Sequence, residues 1–268
     1  MIAGNLLLYG AVYALLGTFA GIMAGVLGIG GGVVVVPGLL FVFKHSGIIP
    51  DDISMRVATA CSLAVMIITS QSSLRAHLKY GQVLFSLFKK MVLGIFLGTI
   101  LGAAVATITP TYLLQILFAL FLFLVAFKMI TDLHVTHPQR LPSDWVNRLV
   151  SFAIGFKSGL LGVGGGVLVV PYLTYCGVSV RQIAAVSNLC TLTVAVAGSF
   201  VFMISGAPEM AGIAYSTGYI YWPAVLGIAI PSSLAAPLGA KLNYSVPVKQ
   251  LKYCFIVILI ITAISLLF

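Results

Sequence analysis

Two stretches of almost the same sequence place three adjacent glycines ahead of a short apolar run: GVLGIGGGVVVVP from Gly25 to Pro37, and GLLGVGGGVLVVP from Gly159 to Pro171. Gly30, Gly31 and Gly32, like Gly164, Gly165 and Gly166, are poor helix interior and suit a tight turn. The short helix that follows each turn starts with amides that have no intrahelical acceptor. Those amides and the positive end of the helix dipole suit an anion. Close helix packing is the other use of glycine in apolar sequence. Gly94, Gly98 and Gly102, spaced four apart, need no more than that, whereas three glycines in a row exceed it.

Small polar side chains recur next to these turns. RVATACSLAV (Arg56–Val65) aligns loosely with RQIAAVSNLCTLTV (Arg181–Val194), which sets Ser62 against Asn188 with Thr59, Ser187 and Thr191 nearby. Hydroxyl and amide groups can line a path for an oxyanion without fixing charge there, or they can bond one helix to another. Lys157 is the one cation that loops do not explain. It lies twelve residues beyond Trp145, about 18 Å along a helix. Such a charge inside a membrane is a functional group by default, unless it snorkels or pairs with a carbonyl. Its counterpart in the first copy is Met23. Arg75 and His77 close a later apolar segment, as interfacial anchors or as a gate and vestibule for an anion.

Several chemistries lack their residues. No Asp or Glu lies inside an apolar segment, which disfavours a carboxylate proton relay. No hydrolase, zinc or nucleotide-binding motif is present, so neither catalytic residue, metal site nor cofactor is expected, and the chain does not read as an enzyme. The net charge of +9 comes without a nucleic-acid motif. Cys61, Cys176, Cys190 and Cys254 are scattered and read as small packing residues.

The elements that must hold these residues are membrane helices. The chain is 61% hydrophobic and 7% charged, against about 25% charged in soluble proteins. Ten apolar segments run over about 5–27, 33–43, 53–78, 84–106, 111–131, 145–161, 167–176, 180–205, 217–240 and 247–268. Eight are long enough, or nearly so, to span the roughly 20 helical residues of a bilayer. The two short ones, each rising about 16 Å, follow the glycine turns directly. They would either cross or return as re-entrant hairpins with the segment before.

The fold expected is therefore an all-α integral membrane protein. It is one transporter domain of two repeats, about 5–131 and 145–268, joined by a polar linker at 132–144. An odd number of segments per repeat inverts the second copy. Charge agrees with inversion. With the linker in the cytoplasm, Arg75, Lys79, Lys89, Lys90, Lys128, Arg140, Arg148, Arg181, Lys241, Lys249 and Lys252 all fall inside, and only Lys44 and Arg56 fall outside. Inverted repeats with matched helix breaks commonly build a substrate site near the midplane. The two turns are expected to face one another across a central cavity, and a bulkier residue at Gly31 or Gly165 to abolish transport without preventing insertion.

Duplicated G-x-G-G-G-x-x-x-x-P, here Gly28 to Pro37 and Gly162 to Pro171, resembles the sulfite exporter TauE/SafE family of membrane permeases. The likeness covers the whole chain and includes Ala58–Leu63, the His77-x-x-x-Gly81 step, Leu101-Gly102-Ala103 and Leu238-Gly239-Ala240. It implies a secondary transporter of the cell (inner) membrane that moves sulfur-containing or organic anions such as sulfite or sulfonates, usually outward. A passive anion channel on the same scaffold is the alternative. The partners implied are a small anionic substrate and the lipid bilayer; the sequence is compatible with a homo-oligomer. Lys157 before Ser158, and the pair Ser187-Asn188, depart from the family pattern. The expected substrate site comprises Gly30, Gly31, Gly32, Ser62, Lys157, Gly164, Gly165, Gly166, Ser187 and Asn188.

Overall fold

The structure is a computed structural model that describes residues 2–28, 30–78, 84–131, 143–178, 180–245, 253, 256–257 and 259–264. The linker expected at 132–144 lies outside these residues except for its last two, as do Gly81 and much of the last apolar segment. The first half holds α1 (Ile2–Leu27), α2 (Gly32–Ser46), α3 (Ser54–Leu78), α4 (Phe85–Ile108) and α5 (Thr111–Thr131). The second holds α6 (Asp144–Leu161), α7 (Gly166–Tyr175), α8 (Val180–Ser205) and α9 (Trp222–Ser245), with a two-stranded hairpin, β1 (Ser216–Thr217) and β2 (Ile220–Tyr221), before α9. The chain is a multi-pass, all-α membrane protein. Among the described residues, five helices have the length and hydropathy of a span: α1, α3, α4, α8 and α9. In α6, Asp144, Arg148 and Lys157 share eighteen residues, which lowers its hydropathy.

One difference from the sequence reading is the apolar segment expected at 217–240. Its first residues pair instead as a hairpin, Ser216 with Tyr221 and Thr217 with Ile220. Gly218, at φ 54°, makes the tight turn between them. Pro223, which has no amide to lose, then sits in the first turn of α9.

Small residues let the long helices touch backbone to backbone. Gly21 and Gly25 of α1 lie on the carbonyls of Ser232 and Ala236 of α9, and Gly239 lies on Ile22. Residue numbers rise together, so α1 and α9 run in the same direction. Gly155 and Gly159 of α6 lie on the carbonyls of Ile95 and Thr99 of α4, and Gly102 lies on Phe156. This second crossing has the same spacing and the same sense as the first. A methyl group at any of these glycines would enter a neighbouring backbone.

The remaining directions follow from polar contacts. Arg56, in the first turn of α3, bonds Glu209, just beyond the end of α8, so α3 and α8 are antiparallel. Thr69 meets Ser232 at 2.8 Å and Cys61 accepts the Tyr221 amide at 3.2 Å, so α3 and α9 are parallel. The short helices turn back on their predecessors. Tyr9 on α1 reaches the His45 carbonyl at the end of α2, and Tyr172 on α7 donates to Asn147 at the start of α6 at 2.8 Å. One hairpin therefore opens toward the Arg56–Glu209 face and the other toward the opposite face, where Lys90 and Asp144 pair at 3.1 Å.

Candidate functional site

The two glycine turns meet in the interior. Every described glycine of both is buried. A Cβ built on Gly32 would stand 2.7 Å from the Gly162 carbonyl oxygen and 3.0 Å from Ser62 Oγ. The first turn thus rests on the second, and the cavity expected between them is closed here by direct contact. Glycine is what permits that approach.

Each turn is held by a serine from the other half. Ser62 on α3 donates to the Gly162 carbonyl at 2.9 Å, and Ser187 on α8 donates to the Gly28 carbonyl at 2.7 Å. Gly28 and Gly162 share the same left-handed geometry, both with φ 68°. Behind them, Gly28 packs on Ala184 and Gly162 on Thr59. These contacts set Ser62 against Ser187, a one-residue correction to the sequence alignment, which paired Ser62 with Asn188. The shift also pairs Thr59 with Ala184 and Met66 with Thr191.

Met66 is the residue the sequence reading missed. Its thioether lies over Gly30 and Gly32, with Cε 3.0 Å from a Cβ on Gly32. At the equivalent place in the second half, Thr191 Oγ1 accepts the Gly166 amide at 3.1 Å. The other leading amides of α7 are spent locally: Val167 on the Gly164 carbonyl, Leu168 and Val169 on the Gly165 carbonyl. In this conformation α7 therefore offers an anion no unpaired amide from its first turn. At α2, Val34 and Val35 both bond the Gly31 carbonyl. Asn188 is fully buried; its amide nitrogen bonds the Ala184 carbonyl at 2.9 Å while its oxygen has no partner among the described residues. The Thr59 hydroxyl is also buried without one.

Lys157, Arg75 and His77 stand apart from this contact. His77 is buried, and its Nε2 lies 2.9 Å from the Gly25 carbonyl in the last turn of α1. Ser73 bonds the Ala24 carbonyl one turn earlier. Together they pin the end of α1 to α3, just ahead of the first glycine turn. Arg75 is exposed two residues away. Lys157 is exposed in a groove of about 350 Å³ between α5, α6 and α7.

A larger cavity, about 1430 Å³, opens on the Arg56–Glu209 face. Lys44, His45, Asp51, Asp52, Arg56 and Glu209 line it, beside Pro37 of α2. Pro171 of α7, the partner of Pro37 in the repeated motif, lines the smaller groove. Each proline lacks the amide that a carbonyl one turn earlier would take. Neither of these two cavities reaches the glycine turns. Arg56, in the lining of the larger one, is held in place by three bonds: to Glu209 at 2.8 Å, the Tyr219 hydroxyl at 3.4 Å and the Thr109 carbonyl at 3.3 Å. Burial, and then its bond to Glu209, raise the Tyr219 phenol above its ordinary pKa, so it stays protonated. Among the described residues no three His, Cys, Asp or Glu side chains converge as a metal site would require.

Helices broken at glycine turns that meet inside a helical bundle recur in secondary transporters. The family model described as sulfite exporter TauE/SafE matches residues 13–266. The chain belongs to that family. It is 33% identical over 260 residues to a "Probable membrane transporter protein" of Haemophilus influenzae, covering 94% of this chain and 96% of the relative. It is 30% identical over 244 residues to the "Probable membrane transporter protein MJ0441" of Methanocaldococcus jannaschii, covering 89% and 88%. A Bacillus subtilis relative, "Probable membrane transporter protein YunE", is 24% identical over 277 residues, covering 96% and 97%. No solved structure matches the chain significantly. This TauE/SafE protein is a membrane transporter with a small-molecule substrate, and not an enzyme.

Proposed function

We propose that this transporter moves a small sulfur-containing or organic oxyanion, such as sulfite or a short sulfonate, out of the cell between its two glycine turns. The observation that carries the reading is the contact of Gly32 with Gly162, braced on both sides by Ser62 and Ser187. That contact closes the interior at the point where the two repeated turns meet. The family name supports the substrate class.

Two inverted repeats, about 5–131 and 145–268 with the linker 132–144 between them, account for the matched crossings of α1 on α9 and α6 on α4. They also account for the antiparallel pairing of α3 with α8. In this reading the face bearing Arg75, Lys89, Lys90, Arg148 and Lys241 is cytoplasmic, as the positive-inside bias requires. Transport is then a rocking of α1–α2 and α6–α7 that parts the turns. Gly30, Gly31, Gly32, Gly164, Gly165 and Gly166 let backbone reach the anion. Ser62, Ser187 and Asn188 are the nearest neutral hydrogen-bonding groups, and Thr191 releases the Gly166 amide when the turns part. Arg75 and His77 act at the cytoplasmic end, where His77 secures α1. Lys157, in its groove apart from the turns, adds positive potential to the interior without contacting the transported anion.

The test is efflux of labelled sulfite from proteoliposomes. A saturable efflux accelerated by substrate outside is expected. No flux above that of empty liposomes for sulfite, short sulfonates and short carboxylates alike would refute the reading.

A further inference from the structure

The geometry points to a second site, separate from the glycine turns: the groove around Lys157 binds a single-chain amphiphilic anion with an apolar body of about eight carbons. The groove holds about 350 Å³, at the small end of the roughly 300–1000 Å³ of ligand pockets. That suits one short chain and not a two-tailed phospholipid. Its walls come from three helices: Phe121 and Leu124 of α5, Lys157 of α6, and Leu168, Pro171 and Tyr172 of α7. All but two of these six are apolar, and the Tyr172 hydroxyl is already committed to Asn147. Lys157 has no hydrogen-bond or ion-pair partner among the described residues.

Depth makes the lysine informative. It stands thirteen residues beyond Asp144, the first residue of α6, about 20 Å along the helix. Its ammonium is exposed within the groove beside apolar walls, so an anionic headgroup seated there meets an unpaired charge. A small hydrophilic anion would lose its water for a single charged contact, which by itself gives little affinity. An amphiphile gains the same contact and also covers Phe121, Leu124 and Leu168. The equivalent residue of the first half, Met23, is buried and uncharged, so the site belongs to one half alone. The inference stands apart from the transport reading: loss of sulfite efflux would leave it intact, and its own failure would leave efflux intact.

The test is calorimetric titration of the full chain, in nanodiscs of neutral lipid, with straight-chain carboxylates from butanoate to octanoate; empty nanodiscs are subtracted. Affinity is expected to rise about fourfold per methylene. Lys157→Gln should weaken octanoate at least tenfold, and Lys157→Arg should retain it. Ala153 of α6 also lines the groove, and Ala153→Phe, which fills it and leaves the lysine in place, should also abolish binding. Equal binding to Lys157→Gln, equal binding of octyltrimethylammonium, or flat affinity along the carboxylate series would overturn the proposal. So would loss of octanoate binding in phosphatidylglycerol nanodiscs, which would assign the groove to a lipid headgroup.

Discussion

The two glycine turns share a sequence motif and differ in backbone. In the first, Gly28, Gly30 and Gly31 all sit at positive φ, 68°, 77° and 80°, and α2 starts from Gly31 in the left-handed region. In the second, only Gly162 is left-handed, and Gly165 caps α7 with right-handed helical angles, φ −50° and ψ −23°. The first turn has the Met66 thioether against it, the second the Thr191 hydroxyl. A repeated motif can therefore be fixed in one copy by left-handed backbone that glycine adopts freely and held in the other by a hydrogen bond. The backbone conformation therefore requires glycine at Gly31 and does not require it at Gly165.

Substitutions can break or sharpen that contrast. Gly31→Ala should have the largest effect. Left-handed backbone costs a residue with a Cβ about 1–2 kcal/mol, and that Cβ would stand 2.8 Å from the Ala20 carbonyl oxygen. Thermal unfolding in detergent should show the drop, and efflux should fall at least tenfold. Thr191→Val comes next. It keeps the shape and leaves the Gly166 amide buried and unpaired, which costs about 1–3 kcal/mol; Met66→Leu, its positional counterpart, removes no hydrogen bond and should cost less.

Ser62→Ala and Ser187→Ala should each cost about 1 kcal/mol. Because the two bonds are reciprocal, the two losses should agree. A difference well beyond the error of the melting curves would show that the halves are not braced alike. Gly165→Ala should have the smallest effect, within about 1 kcal/mol. Its Cβ would stand 3.3 Å from Val194 Cγ2, a side chain able to give, and 3.7 Å from the Cys190 carbonyl, an ordinary contact.

The helices were legible because their signals are long. The bounds expected for the third, fifth and eighth segments, 53–78, 111–131 and 180–205, fall within a residue of α3, α5 and α8. The short half-helices were also legible, from where glycine ends one apolar run and begins the next. The hairpin before α9 was not, because Tyr219, Ile220 and Tyr221 are as apolar as a helix. Its turn rests on a single glycine. The serine brace was half legible. The residue types stood out, but a register one residue off hid their reciprocity, and only the packing of Gly28 on Ala184 and Gly162 on Thr59 fixes it. Lys157 stood out as an isolated charge, yet helical spacing alone gave no sign that it faces a groove rather than the turns.

The account depends most on an anion passing between the turns. The direct measurement is modification of Gly165→Cys, in a chain cleared of its four native cysteines, by a thiol reagent carrying an ethanesulfonate group. Modification should block efflux, and free ethanesulfonate should slow it while choline does not. Unimpaired efflux after complete modification, or a labelling rate indifferent to the anion, would contradict the claim.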